Sequence, residues 1–155
     1  MMKKIILLIF IFNIISHCGF TPLYSNKSEV NFSITAIELE GDKTINNFLK
    51  TNLIKFENNG LGNKFTLKIK TNYKKNILSK NKAAKTTNFE LSTDAIFKIF
   101  LNGTMVKELI ISEIEIMDKN DDDFEEEKNE RIIKQNFAST MTNKLITELS
   151  LLNDN

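Results

Sequence analysis

The dipeptide Asn102-Gly103 sits between two long alternating runs, and it constrains the fold more than any other feature of this chain. Both residue types tolerate the positive φ of a two-residue hairpin turn. A turn of that length fixes which residues face each other. Here it predicts the pairs Leu101–Thr104, Ile99–Val106, Phe97–Glu108, Ala95–Ile110, Leu91–Ile114 and Phe89–Ile116. One face of the hairpin is then almost wholly apolar. A one-residue slip would turn that set toward water, so the pattern favours this register.

The opposite face pairs Ser92 with Glu113, Glu90 with Glu115 and Lys98 with Lys107. Like charges directly opposite are unfavourable, which points to a solvated face. Two apolar pairs interrupt it toward the tip, Ile96 with Leu109 and Phe100 with Met105. Either a helix edge or loop covers these four residues, or they form an exposed patch for a partner.

The remaining elements follow from periodicity. In "NFSITAIELEGD", Phe32 and Ile34 alternate in one phase, and Ile37 and Leu39 in the other. A strand with a bulge near Ala36 would do this. Ile45, Phe48, Leu49, Leu53 and Phe56 have helical spacing, with Asp42 or Thr44 as cap and Asn58-Asn59-Gly60 as stop. "KFTLKIKTNY" alternates as a half-buried strand, and Lys74 to Lys85 reads as a basic segment without periodicity. The final stretch, about Phe124 to Leu152, carries Ile133, Phe137, Met141, Leu145 and Leu149 at spacing four, flanked by Ile132, Ala138, Ile146 and Leu152. That stripe is the core face of a helix. The order β-α-β-β-β-α predicts an α+β, two-layer sandwich: a mostly antiparallel four-stranded sheet with two helices on one face.

Several function classes are excluded or weakened by composition. The formal charge of +1 leaves no basic footprint for nucleic acid. His17 and Cys18 are the only histidine and cysteine, too few for a zinc cluster, and the expected removal of residues 1–17 would leave no imidazole for a catalytic triad. The run "DKNDDDFEEEKNE" imitates a calcium loop from Asp118. It fails at the turn glycine, which is Asp123, and at the bidentate glutamate, which is Asn129. Acidic residues at a helix start explain it better, so no metal is expected. Glu113 and Glu115 are the one carboxylate pair worth weighing for hydrolysis. Neighbouring acids on an exposed strand are usually only solvated, and no catalytic residue is expected.

The amino terminus decides what the domain is attached to. Lys3 and Lys4 precede an apolar run, Ile5 to Ile15. Eleven helical residues reach roughly 16 Å, about half of a bilayer core, and suit a signal-peptide core. Then comes Ile15-Ser16-His17-Cys18, which resembles a bacterial lipobox, with His17 where a small residue is usual. The resemblance implies diacylglyceryl on the Cys18 thiol, cleavage before it and N-acylation, with palmitate among the chains. Gly19 is not the aspartate of the inner-membrane retention rule, which implies the outer membrane. Residues 1–17 would be the signal peptide, 18–29 the lipidated terminus and linker, and 30–155 the folded domain. Losing Lys3 and Lys4 takes the formal charge from +1 to −1.

The lipobox running into "CGFTPLY" resembles the LPS-assembly outer-membrane lipoprotein family, LptE, in its alphaproteobacterial form. The strand "FSITAIELEGD", the basic middle ahead of "TTNFELSTDAIFKIF", the acidic run and the closing helix come in the family's order. The resemblance implies the same α+β sandwich and a non-catalytic role without cofactor. Such a protein plugs the lumen of a large β-barrel, LptD, assists its assembly, and contacts lipopolysaccharide as the barrel delivers it to the outer leaflet. Lys68, Lys70, Lys74, Lys75, Lys80, Lys82 and Lys85 are then either lipopolysaccharide contacts or a solvated lysine face. The alternative to the barrel is an outer-membrane lipoprotein that binds a glycolipid or another envelope protein without LptD.

Overall fold

The structure, a computed structural model, describes residues 31–57 and 62–154. Cys18, the segments 1–17 and 18–29, and the expected helix stop at Asn58-Asn59-Gly60 lie outside the described residues. The elements are β1 (Ser33–Gly41), α1 (Lys43–Leu53) with a 3₁₀ turn (Ile54–Phe56), β2 (Lys64–Lys80), β3 (Thr86–Leu101), β4 (Thr104–Asp118) and α2 (Asp123–Asn153). The sheet order is β1-β2-β3-β4. β1 runs parallel to β2, and the other two pairings are antiparallel. This is the expected α+β sandwich in the expected order, with both helices on one face.

Local chemistry sets the element ends. β1 carries its bulge between Ile34 and Ala36, where the alternation changes phase. Asp42 caps α1, its Oδ1 accepting the Ile45 N–H at 2.8 Å. Asp122 caps α2 by accepting from Phe124 and Glu125. The core lies between the layers. Phe65, Leu67, Ile69, Ala95, Phe97 and Ile99 from the sheet meet Ile45, Leu49 and Leu53 of α1 and Ala138, Met141, Leu145 and Leu149 of α2. A smaller cluster of Leu91, Met117 and Phe137 extends it under the first half of α2. Ile132, predicted to flank the core stripe, instead faces solvent.

Two expectations about the strands fail. The predicted β3–β4 register holds only for Leu101–Thr104 and Phe100–Met105. A bulge at Val106 then shifts every later pair by one residue: Ile99 faces Lys107, Phe97 faces Leu109, Ala95 faces Ile111 and Leu91 faces Glu115. The bulge leaves Lys98 beside Glu108, with Nζ 3.8 Å from the carboxylate, where the unbulged register sets two lysines together. The segment Lys74 to Lys85 is mostly strand. β2 continues to Lys80, and Asn81 closes a tight turn by accepting the Ala83 and Lys85 N–H groups at 2.9 and 3.0 Å. Pairing with β3 supplies the order that adjacent lysines hide in the sequence pattern.

Candidate functional site

The face of the sheet away from the helices is open, and the bulge at Val106 decides what it displays. Cross-strand neighbours share a face. Three rows of the open face therefore read Thr66–Phe100–Met105, Lys70–Ile96–Ile110 and Lys74–Ser92–Ile114 from β2 to β4. Of the four residues predicted as a patch, Phe100 and Ile96 are half-buried on this face and Met105 is exposed. Leu109 is not among them, because the bulge turns it toward the helices, where it packs against the core. Ile110 takes its place opposite Ile96, and Ile114 and Ile116 extend the apolar strip along β4. The sequence carried a signal for this: the like-charge pairs of the unbulged register.

The seven lysines do not form one cluster. Lys68 and Lys70 lie on the open face, tied to Glu38 and Glu40 of β1 at 2.9 and 2.6 Å. Lys75 lies on the other side, under α2. Lys74, Lys80, Lys82 and Lys85 are exposed and make no ion pair among the described residues. The last three surround the far end of the β2–β3 hairpin, close in sequence to exposed Ile77 and Leu78. That tip is basic and apolar together.

Glu113 and Glu115 fall on the helix side of β4, with Glu113 bound to Lys144 of α2 at 2.6 Å. A nearby ion pair, Lys107 with Glu148, makes the same link. The open groove between α1 and α2, about 610 Å³, is lined by Thr44, Phe48, Glu127 and Arg131 and does not include either glutamate. Among the described residues no group of acidic residues has the arrangement of a metal site.

Sequence reading missed the most connected polar cluster. The acidic run reads in the sequence only as a helix start, yet two of its carboxylates fasten α2 to the sheet. Tyr73 donates to Glu130 at 2.9 Å, and Lys75 donates to both Glu126 and Glu130 at 2.9 Å. Lys119 adds a bond to Glu126 at 2.7 Å, and Lys134 joins Glu130 to the α1 cap Asp42. Burial works against the charge on Glu126, but the Lys119 and Lys75 bonds outweigh it and bring its pKa down to about 2. Burial likewise opposes the charge on Glu130, and its bonds with Lys75 and Tyr73 still leave it lowered. The Tyr73 phenol is pushed upward by burial and by its bond to Glu130.

Carboxylates with lowered pKa contribute stability that is complete above their unfolded value and is lost as pH falls through the folded one. Stability is therefore expected to fall between about pH 4.5 and pH 2, the ordinary and folded values for Glu126. Urea midpoints measured across that window check this. Glu126→Gln should be less stable than the parent at neutral pH, and the two curves should converge on acidification.

No family model matches the chain, and no curated protein matches its sequence. Solved structures do match. The rare lipoprotein B of Shewanella oneidensis aligns with 76% of this chain and 98% of its own, at TM-score 0.54 and 14% identity. A minor lipoprotein from Acinetobacter baumannii aligns with 74% of this chain and 92% of its own, at TM-score 0.53 and 15% identity. Lipoprotein B from Nitrosomonas europaea aligns with 81% and 88%, at TM-score 0.55 and 12% identity. The chain has the fold of these bacterial lipoproteins.

Proposed function

We propose that this chain is a lipid-anchored lipoprotein of the outer membrane that works with an LptD-type β-barrel as its plug and assembly partner during lipopolysaccharide insertion. One conjunction carries the reading. A lipobox-like cysteine running into "CGFTPLY" precedes a domain whose fold is that of proteins named as lipoproteins. The role is non-catalytic, and the only covalent group is the lipid on Cys18. An exterior rich in exposed lysine, glutamate and asparagine suits a polar barrel lumen. The lipid raises the local concentration at the barrel.

The hairpin tip supports contact with a phosphorylated glycolipid. Lysines offer point charges to phosphate, and Ile77 and Leu78 offer apolar surface to acyl chains. Inverting Lys80, Lys82 and Lys85 to glutamate is expected to weaken lipopolysaccharide binding at least tenfold, since each cation near an anionic surface contributes about 1 kcal/mol. Lys68→Gln with Lys70→Gln should change little, because those charges are already spent on Glu38 and Glu40. Titration of the lipidated protein with labelled lipopolysaccharide compares them.

The second reading, a lipoprotein that binds glycolipid or an envelope protein without the barrel, is separated by co-purification. Solubilised membranes should yield an unboiled complex of this chain with a large barrel protein. A chain that purifies alone with glycolipid supports the second reading.

A further inference from the structure

The two edges of the sheet are built differently. β1 is nine residues long, is bulged at its start, and carries acids bound to the neighbouring strand. Short length, a bulge and charge all blunt an edge against pairing. β4 runs for fifteen residues without proline, and its one bulge lies at the hairpin tip. Beyond that bulge Ile110, Ile114 and Ile116 stand on the open face at 62%, 65% and 58% exposure. Glu113 and Glu115 alternate with them on the helix side, and Glu108 and Asp118 flank the stretch. Among the described residues no strand pairs with the outer edge.

An unprotected edge is a template for another strand. We propose that β4 is completed by an extended segment of a partner protein in which apolar side chains alternate with lysine or arginine. Opposite 113–116 such a strand sets its apolar residues against Ile114 and Ile116, one cation against Glu115, and another beside Glu113, whose carboxylate already binds Lys144 of α2. A second copy of this chain fits less well. Centred on Glu113, a two-fold pairing brings Ile110 opposite Ile116 but sets Glu113 against itself and Glu108 against Asp118. Centred on Ser112, it sets Glu113 against Ile111 and Glu115 against Leu109. The inference is independent of the barrel assignment, because any envelope protein bearing such a strand satisfies it.

The test is amide exchange on the lipidated full chain in detergent, with a ten-residue peptide of five Val-Lys repeats as probe. The outward amides of β4 should slow at least fivefold at saturating peptide, while those of β1 stay unchanged. The double variant Ile114→Lys, Ile116→Lys should bind the peptide at least tenfold more weakly and melt like the parent, because both side chains are exposed. Equal protection by a Val-Glu peptide, or equal protection of β1, overturns the proposal. So does a free chain whose outward β4 amides are already slow, whether a mass measurement then finds a dimer or a monomer covering its own edge.

Discussion

Gly41→Ala should lower the unfolding free energy by about 3–5 kcal/mol, through a combination of backbone strain and a clash that only sheet opening relieves. Gly41 has φ +108°, a conformation that side-chain-bearing residues rarely adopt. An added Cβ would lie 1.8 Å from the Thr71 carbonyl oxygen, which is backbone of the neighbouring strand. The damage would spread from there. The Thr71 hydroxyl accepts the Asp42 N–H at 3.0 Å and donates to the buried Asn46 at 2.9 Å. Asp42 in turn caps α1 and pairs with Lys134 of α2 at 3.1 Å. One displacement therefore loosens the join between the sheet and both helices. Gly103 is the control: its φ is +82°, but nothing lies within 4 Å of an added Cβ. Gly103→Ala should cost only the backbone term, about 1–2 kcal/mol. Urea denaturation of both variants decides the matter, and equal losses would mean that β1 and β2 separate without cost.

How much of this was legible depends on whether the signal was local. The caps at Asp42, the phase change near Ala36 and the spacing of Phe137, Met141 and Leu145 are written within a few residues, and each predicts its element. The bulge at Val106 was written less directly. An Asn-Gly turn fixes register only while both strands stay regular, and the apolar residues of β4 occur in both phases, Leu109 and Ile111 in one, Ile110 and Ile114 in the other. Apolar content alone could not choose between them. The charges could: the bulged register sets Lys98 beside Glu108 and moves Glu113 toward Lys144. The bonds that tie Glu126 and Glu130 to the sheet were not legible, although the i,i+4 pair of Glu130 with Lys134 is local. Their partners Tyr73 and Lys75 lie more than fifty residues away on β2, and only the packing of α2 across the sheet brings them together. The candidate lysines illustrate the same limit, since sequence proximity grouped seven that the pleat of β2 divides between two faces and a turn.

On the proposed function, Cys18→Ser removes the chain from the outer membrane altogether. If the thiol carries diacylglyceryl and the new amino terminus a third chain, anchoring rests on many buried methylenes at about 0.8 kcal/mol each. A single acyl chain binds a bilayer only marginally, whereas two or more hold it stably, so the effect is a switch between fractions and not a partial loss. Serine also denies the pathway its acceptor, and the Ile5–Ile15 run should then remain attached. That run is about half the length a bilayer core requires, and it offers a poor substitute. Metabolic labelling with palmitate and sedimentation of membranes on a density gradient measure both halves of the prediction. The parent should carry label and travel with the outer membrane, while the variant should carry none and leave that band. The folded domain is a useful internal reference, because residue 18 lies well before β1 and the variant should melt like the parent. A variant that stayed in the outer-membrane band without label would place the attachment in protein contacts, and the lipid would lose its role in the proposal.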